Sequence, residues 1–285
     1  LHYAAENNKS NVLYFLKSYQ LSNELYDNKG FTPIHCACEF DSVDFLREYL
    51  SIKSQYINPN ASLPRSWAPL HVSVFNNNKA SAQVLIDEYH ANVNITGKNS
   101  SSPLHIASQL SDDSMVIFLL EKGANPNQPD ADFNSPLMIA IQSNNFNIVK
   151  ILIQAEADCS MPNKNKLTPL HFACKYGTKE IVELLLNNNI DVNSIDNTDS
   201  SPLYYAVERQ DPIITKILID HGADPLQRNI EGKSIFSLAK SNEMITILRN
   251  AVSNSEIFKK RKEITANMEN NVNNNDMQLP TEDLI

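Results

Sequence analysis

The chain has 285 residues, 42% of them hydrophobic, so it is long enough to bury a substantial core. Its formal net charge of −9 disfavours binding to nucleic acid through phosphate groups, and no stretch of about 18 apolar residues predicts membrane insertion. Four cysteines without regular spacing favour reduced thiols in an intracellular protein.

A short motif marks the start of a predicted helix again and again along the chain. It occurs as TPIHCA (32–37), APLHVS (68–73), SPLHIA (102–107), SPLMIA (135–140), TPLHFA (168–173), SPLYYA (201–206) and, weakly, SIFSLA (234–239). The prolines of the first six copies are separated by 36, 34, 33, 33 and 33 residues. Proline suits the first helical turn, and we expect the preceding Ser or Thr hydroxyl to cap free backbone N–H groups, with Ala68 as the exception.

A second predicted helix follows each motif after about ten residues. Its apolar runs are MVIFLL (115–120), IVKILI (148–153), IVELLL (181–186) and ITKILI (214–219). A face this wide indicates a helix buried on much of its circumference. Both helices are too short to be stable alone, so each pair must stack on its neighbours. The polar segments between pairs, such as 191–201, predict turns or hairpin-like fingers.

These motifs resemble the ankyrin repeat, with its TPLHxA opening, IVxLLL second helix and GADVN exit, over roughly residues 1–250. The resemblance implies an all-α repeat solenoid of helix-turn-helix units joined by β-hairpin-like finger loops. It predicts a repeat domain over 1–252 and a polar, disordered tail over 253–285. The eight predicted repeats are 1–30, 31–66, 67–100, 101–133, 134–166, 167–199, 200–232 and 233–252. Because LHYAA matches the interior of the motif, we expect the first repeat to be truncated and the chain to be a fragment of a longer polypeptide.

A histidine recurs at one position of the motif, as His2, His35, His71, His105 and His171, with Met138 and Tyr204 replacing it in two repeats. A catalytic histidine is needed only once, and the resemblance implies instead that this one bonds the backbone near the next finger. The sequence contains no nucleotide-binding or hydrolase motif, so we predict no enzyme, no cofactor and no metal site. Cys36 and Cys38, two residues apart, are predicted to pack in the core and not to bind zinc.

The resemblance also implies a protein partner on the concave face, which is built from residues just before each motif proline and six or seven residues after it. Carried over residue by residue, these positions give an aromatic group of Phe31, Phe40, Trp67 and Phe75. They also give a second group of Leu167, Lys175, Tyr176 and Arg209. The longer segment 51–69 leaves three interpretations open. The aromatic group is an exposed binding hot spot, the insertion folds back and buries Trp67 and its neighbours, or the group has no role in binding.

Several predicted fingers lack a glycine at the tip. Gly30 and Gly232 keep it, whereas positions 66, 100, 133, 166 and 199 do not. Because a left-handed backbone is costly for a residue such as Phe133, we expect altered turns at these tips.

Three functions are consistent with this pattern. We expect first a scaffold or adaptor in the cytoplasm that binds a protein. The alternatives are a regulatory ankyrin segment of a larger protein (an enzyme, channel or ligase adaptor), and a nuclear regulator. The nuclear alternative depends on the basic cluster Lys259, Lys260, Arg261 and Lys262.

Overall fold

The computed structural model describes residues 1–16, 26–28, 30–53 and 67–254. The chain divides into two compact units, residues 1–190 and 191–285, and each is described by itself. The described residues form α-helices joined by turns, and no β-strand occurs among them. One isolated antiparallel bridge joins Arg228 and Ser234.

The helices come in pairs at the predicted intervals. In the first unit they are α1 (His2–Glu6), α2 (Asn11–Leu16), α3 (Pro33–Glu39), α4 (Val43–Lys53), α5 (Pro69–Phe75), α6 (Lys79–Gln83), α7 (Pro103–Ala107), α8 (Ser114–Glu121), α9 (Pro136–Gln142), α10 (Phe146–Gln154), α11 (Pro169–Tyr176) and α12 (Lys179–Leu186). A π-helical turn, Val84–Glu88, continues α6. The second unit contains α13 (Pro202–Glu208), α14 (Pro212–Asp220), a 3₁₀ turn (Ile235–Leu238) and α15 (Asn242–Asn254).

The core of the first unit lies between successive helix pairs. Each first helix packs on the next, so that α3, α5, α7, α9 and α11 form one row. The leucine after the motif proline is fully buried in this row, as Leu70, Leu104, Leu137 and Leu170. Burying one such side chain contributes about 1.5–3 kcal/mol, which short isolated helices lack.

The motif hydroxyls only partly act as the predicted helix caps. Ser102 and Ser135 accept a hydrogen bond from the backbone N–H three residues later, at 3.4 Å each. The Thr32 hydroxyl makes no such bond and lies 2.6 Å from the Nδ1 atom of His35. The Thr168 hydroxyl lies 2.9 Å from the Nδ1 atom of His171. The prediction of a uniform N-cap was wrong, since Thr32 and Ser201 do not cap their helices whereas Ser102 and Ser135 do.

The expectation of altered turns at fingers without glycine was wrong at positions 133, 166 and 199. At position 100 the turn does differ, because Asn99 and Ser100 are both left-handed, with φ values of 57° and 56°, and position 66 lies outside the described residues. Phe133, Lys166 and Asp199 have φ values of 62°, 58° and 56°, in the same left-handed region as Gly30 and Gly232. Each finger within the described residues closes with the same two backbone bonds. In the Asp130–Asn134 finger, the Phe133 N–H donates to the Asp130 carbonyl at 3.0 Å, and the Asp130 N–H donates to the Asn134 carbonyl at 3.0 Å.

An acidic or amide side chain at the base of the finger holds this turn. The Asp130 carboxylate accepts from the backbone N–H groups of Asp132 and Asn134, both at 2.8 Å. Asn163, Asp196 and Asn229 repeat the arrangement at intervals of 33 residues. Such bonds to the side chain offset the cost of the left-handed residue, so a glycine is not needed at the tip. The periodic Asp/Asn was the sequence signal for this turn.

Candidate protein-binding surface

The recurring histidines form structural ties between neighbouring repeats, as predicted. Their Nε2 atoms lie 2.7–3.1 Å from a backbone carbonyl in the next finger: His2 to Phe31, His35 to Trp67, His71 to Ser101 and His105 to Asn134. The Nδ1 atoms of His71 and His105 accept backbone N–H groups at 3.1 Å. Because an N–H can only donate, the proton of each neutral ring is on Nε2.

Burial keeps these imidazoles neutral. It lowers the pKa of His35 to about 4, and the hydrogen bond to the Trp67 carbonyl only partly opposes the shift. Burial also lowers the pKa values of His71 and His105. Each ring has both nitrogens engaged, so none of the three is placed to transfer a proton to a substrate.

Where the histidine is replaced, its partner hydroxyl loses the ring nitrogen. Tyr204 occupies the position in the second compact unit, and the buried Ser201 hydroxyl, at the start of α13, makes no hydrogen bond. Met138 has no ring nitrogen to offer Ser135. The replacements therefore remove a tie, as the sequence indicated.

A second set of ties was missed in the sequence. The Asn127 side chain donates to the Glu156 carbonyl at 3.1 Å and accepts from the Asp158 N–H at 2.7 Å. Asn94 and Asn193 make the same pair of bonds to the loop of the following repeat. The signal was available, since these asparagines are separated by multiples of 33 residues.

The aromatic group is only partly assembled. The Trp67 and Phe75 rings meet edge to face, with centroids 5.3 Å apart. Trp67 is half-buried, whereas Phe75 is 56% exposed. Phe31 is half-buried with its ring 5.8 Å from His35, and Phe40 is 49% exposed at the end of α3. Trp67 and Phe75 thus form an anchor of two rings on the outside of α5.

The Trp67–Phe75 contact places two motif positions side by side. Trp67 lies two residues before the proline that starts α5, and Phe75 lies six residues after it. We call the surface made by these positions in successive repeats the first-helix face. Segment 54–66, which the sequence analysis considered as a cover for Trp67, lies outside the described residues.

The second predicted group divides between the compact units. Leu167 is half-buried before α11, and the exposed Lys175 Nζ lies 5.2 Å from the centroid of the Tyr176 ring at the end of that helix. Arg209 belongs to the other unit and is exposed, and its guanidinium nitrogen lies 3.5 Å from a carboxylate oxygen of Asp211.

Phe133 is an exposed aromatic residue that was not among the predicted binding residues. Phe133 is 51% exposed at a finger tip, and the Lys164 Nζ lies 5.4 Å from the centroid of its ring. It was not predicted as a contact because it lies outside the positions assigned to the concave face. The signal in the sequence was an aromatic residue at a tip position where glycine is usual.

The repeated helix pairs match a known protein family. The family model for ankyrin repeats matches three times, at residues 45–130, 70–163 and 137–229, and so spans more than half of the chain. The chain belongs to the ankyrin repeat family. This confirms the predicted family, although the number of repeats, eight, stays a prediction.

Two similar proteins show where such repeats occur. The ankyrin repeats resemble human transient receptor potential cation channel subfamily A member 1, at 30% identity over 126 residues. That match covers 43% of this chain and only 11% of the channel. The crystal structure of the ankyrin repeat domain of Bcl-3, titled a unique member of the IkappaB protein family, superposes with a TM-score of 0.69 at 22% identity. It covers 77% of this chain and 99% of that domain, and it confirms the all-α repeat solenoid.

The remaining chemistry of the ankyrin domain is that of a packed core. All four cysteines are buried, and burial raises the pKa of Cys38 to about 12 and that of Cys159 to about 11. Cys36 and Cys38 therefore pack in the core, as predicted. Within the described ranges, no group of His, Cys, Asp or Glu could hold a metal ion.

Two features concern the predicted environment of the protein. Every helix in the part of the chain that the structure covers is too short or too polar to cross a bilayer. The basic cluster 259–262 and most of the predicted tail lie outside the described residues, so the nuclear signal stays a prediction.

Proposed function

We propose that this chain is a protein-interaction module that binds its partner on the first-helix face. The ankyrin repeat is a protein-interaction fold, and the observation that carries the proposal is the Trp67–Phe75 pair. Its rings are held edge to face while more than half of Phe75 stays exposed. Exposed aromatic side chains held in a preformed position, tryptophan above all, are typical of binding hot spots.

The surrounding structure supports recognition by a rigid surface. His35 binds the Trp67 carbonyl, and α5 packs on both α3 and α7, so the backbone beneath the pair is fixed before a partner arrives. A preformed surface loses little conformational entropy on binding. We propose that Phe31 and Phe40 extend this site and that Leu167, Lys175 and Tyr176 form a second contact region in the first unit. Arg209 is a separate proposed contact in the second unit.

The proposed module acts by binding alone, without catalysis, cofactor or metal. The buried histidines and thiols support this, because none is presented to a substrate. We place the module inside the cell, most simply in the cytoplasm, since all four cysteines are thiols.

The channel similarity favours a second candidate. The match covers 11% of a much longer protein, so we propose as the alternative that this chain is a regulatory ankyrin segment of a larger polypeptide. Reading the coding sequence on both sides of the region tests it. A long open frame encoding another domain supports the segment, and stop codons close to both ends refute it.

Affinity capture from the native cell lysate tests the main proposal. The baits are the 285-residue chain, the Trp67→Ala/Phe75→Ala variant and the Phe146→Ala variant. Phe146 is an exposed aromatic on α10 and serves as the matched control. We expect the double variant to lose the partner and the control to keep it. Retention by the double variant contradicts the proposed site. Thermal melting must show that all three baits are folded, since a large drop for the double variant means that the rings are core residues.

A further inference from the structure

The charge of the chain is distributed unevenly along the first-helix face. The protein carries 33 acidic and 24 basic residues, yet residues 159–179 contain four lysines and no aspartate or glutamate. Three of these, Lys164, Lys166 and Lys175, are exposed around Leu167 and α11. We call these three lysines the basic group. The Lys164 Nζ lies 3.9 Å from the Asp132 carboxylate, whose side chain is 79% exposed, and such a surface pair contributes little energy.

The basic group lies at the same positions of its repeat as the aromatic anchor of α5. Leu167 stands two residues before the proline of α11, as Trp67 does before that of α5, and Lys175 stands six residues after it, as Phe75 does. The contact between the Trp67 and Phe75 rings places these two positions side by side on the surface of that repeat. Lys166 immediately precedes Leu167 in the chain, and Lys175 occupies the neighbouring surface position on α11. Leu167 is therefore flanked by two lysines.

Neutral residues separate the two ends of the face. In the two repeats between α5 and α11 the corresponding positions are Ser101, Gln109 and Leu110, followed by Asn134, Gln142 and Ser143. The face therefore changes from aromatic, through neutral polar, to basic within the first compact unit.

The packing of the first helices sets the distance between these ends. Three steps lead from α5 through α7 and α9 to α11, and neighbouring packed helices lie about 8–10 Å apart, which gives roughly 25–30 Å. An extended peptide rises about 3.3 Å per residue, so roughly eight or nine residues span this distance.

We propose that the partner presents an extended segment with apolar side chains at one end and acidic side chains about eight residues away. The apolar end contacts Trp67 and Phe75, and the acidic end contacts the basic group. This inference rests on the proposed function and names the partner class of the same face. A basic group of only three lysines favours a short acidic peptide over nucleic acid, because phosphate binding requires a broad basic surface.

Fluorescence anisotropy with the 285-residue chain at low ionic strength tests the proposal. The probe is a fluorescein-labelled peptide with two leucines, an eight-residue Gly/Ser spacer and four glutamates. A second peptide carries four lysines in place of the glutamates, a third has a two-residue spacer, and a labelled single-stranded DNA is the nucleic-acid probe. The protein variants are Lys166→Glu/Lys175→Glu and the control Lys150→Glu, an exposed lysine on α10.

We expect the glutamate peptide with the long spacer to bind best and the lysine variant to weaken it about tenfold, while Lys150→Glu changes it less than about twofold. Added salt must also weaken binding. The proposal is overturned if the glutamate peptide does not bind, or if the peptide with four lysines binds with equal affinity. It is also overturned if Lys166→Glu/Lys175→Glu and Lys150→Glu change the affinity for the glutamate peptide equally. Stronger binding of the DNA that requires Lys166 and Lys175 also overturns it.

The same variants separate this inference from the proposed function. If Trp67→Ala/Phe75→Ala loses the native partner and Lys166→Glu/Lys175→Glu keeps it, the proposed interaction module is supported and the proposed acidic partner segment is refuted. If the lysine variant alone releases the partner, the acidic contact stands and the aromatic anchor falls.

Discussion

The histidine ties give the protein a defined sensitivity to acid, which can be worked out for His35. Burial holds the pKa of this residue at about 4 in the folded protein, against about 6.5 in the unfolded chain. Between these two values the unfolded chain binds more protons, so the free energy of unfolding decreases as the pH falls through the window. For a single group, linkage gives a loss of roughly 2 kcal/mol between pH 7 and pH 5 and a far smaller loss between pH 8 and pH 7.

The structural cause is the engagement of both ring nitrogens. A protonated Nδ1 cannot accept a hydrogen from the Thr32 hydroxyl, which lies 2.6 Å away, and the favourable charge of Asp27 only partly opposes the cost of burying the cation. Burial also lowers the pKa values of His71 and His105, so both act in the same direction. The wild-type protein should therefore lose more than the His35 value alone.

Urea unfolding followed by circular dichroism at pH 8, 7 and 5 measures this effect. The perturbing variant is His35→Gln, whose amide keeps an N–H donor for the Trp67 carbonyl but does not titrate. We expect the loss between pH 7 and 5 to be smaller by roughly 2 kcal/mol than in the wild type, with equal denaturant slopes. The interval from pH 8 to 7 is the internal control. Equal acid losses in both proteins would refute the reasoning.

Two further predictions concern turns and helix starts. Phe133→Gly should be more stable than Phe133→Ala by about 0.5–1 kcal/mol in urea unfolding, because both remove the ring over Lys164 and only glycine relieves the left-handed backbone. Equal stability of the two variants would show that this backbone is not strained. Ser102→Ala should cost about 1–2 kcal/mol, since its hydroxyl lies 2.8 Å from the His105 Nδ1 and accepts the His105 N–H. Ser201→Ala should cost less than about 0.5 kcal/mol, because its buried hydroxyl makes no hydrogen bond, and a similar loss at both serines would contradict this assignment.

The sequence determined the positions of the helices and the role of the repeated histidine. A Thr-Pro or Ser-Pro pair starts a helix through local backbone chemistry, so Pro103, Pro136 and Pro169 begin α7, α9 and α11 as predicted. The interval of 33 residues then places one histidine per repeat against the next finger. Such features depend on residues close in sequence or on strict repetition, and both are visible in one chain.

Only the tertiary structure decided how individual side chains share their partners. Phe133 adopts a left-handed backbone because Asp130 binds two N–H groups of the same turn, which outweighs the preference for glycine. The Thr32 hydroxyl pairs with His35 instead of capping α3, since the ring packs within its reach. The adjacency of Trp67 and Phe75 likewise depends on how the chain enters α5. In each case contacts of similar energy compete, and the distances between side chains in the folded chain determine which contact forms.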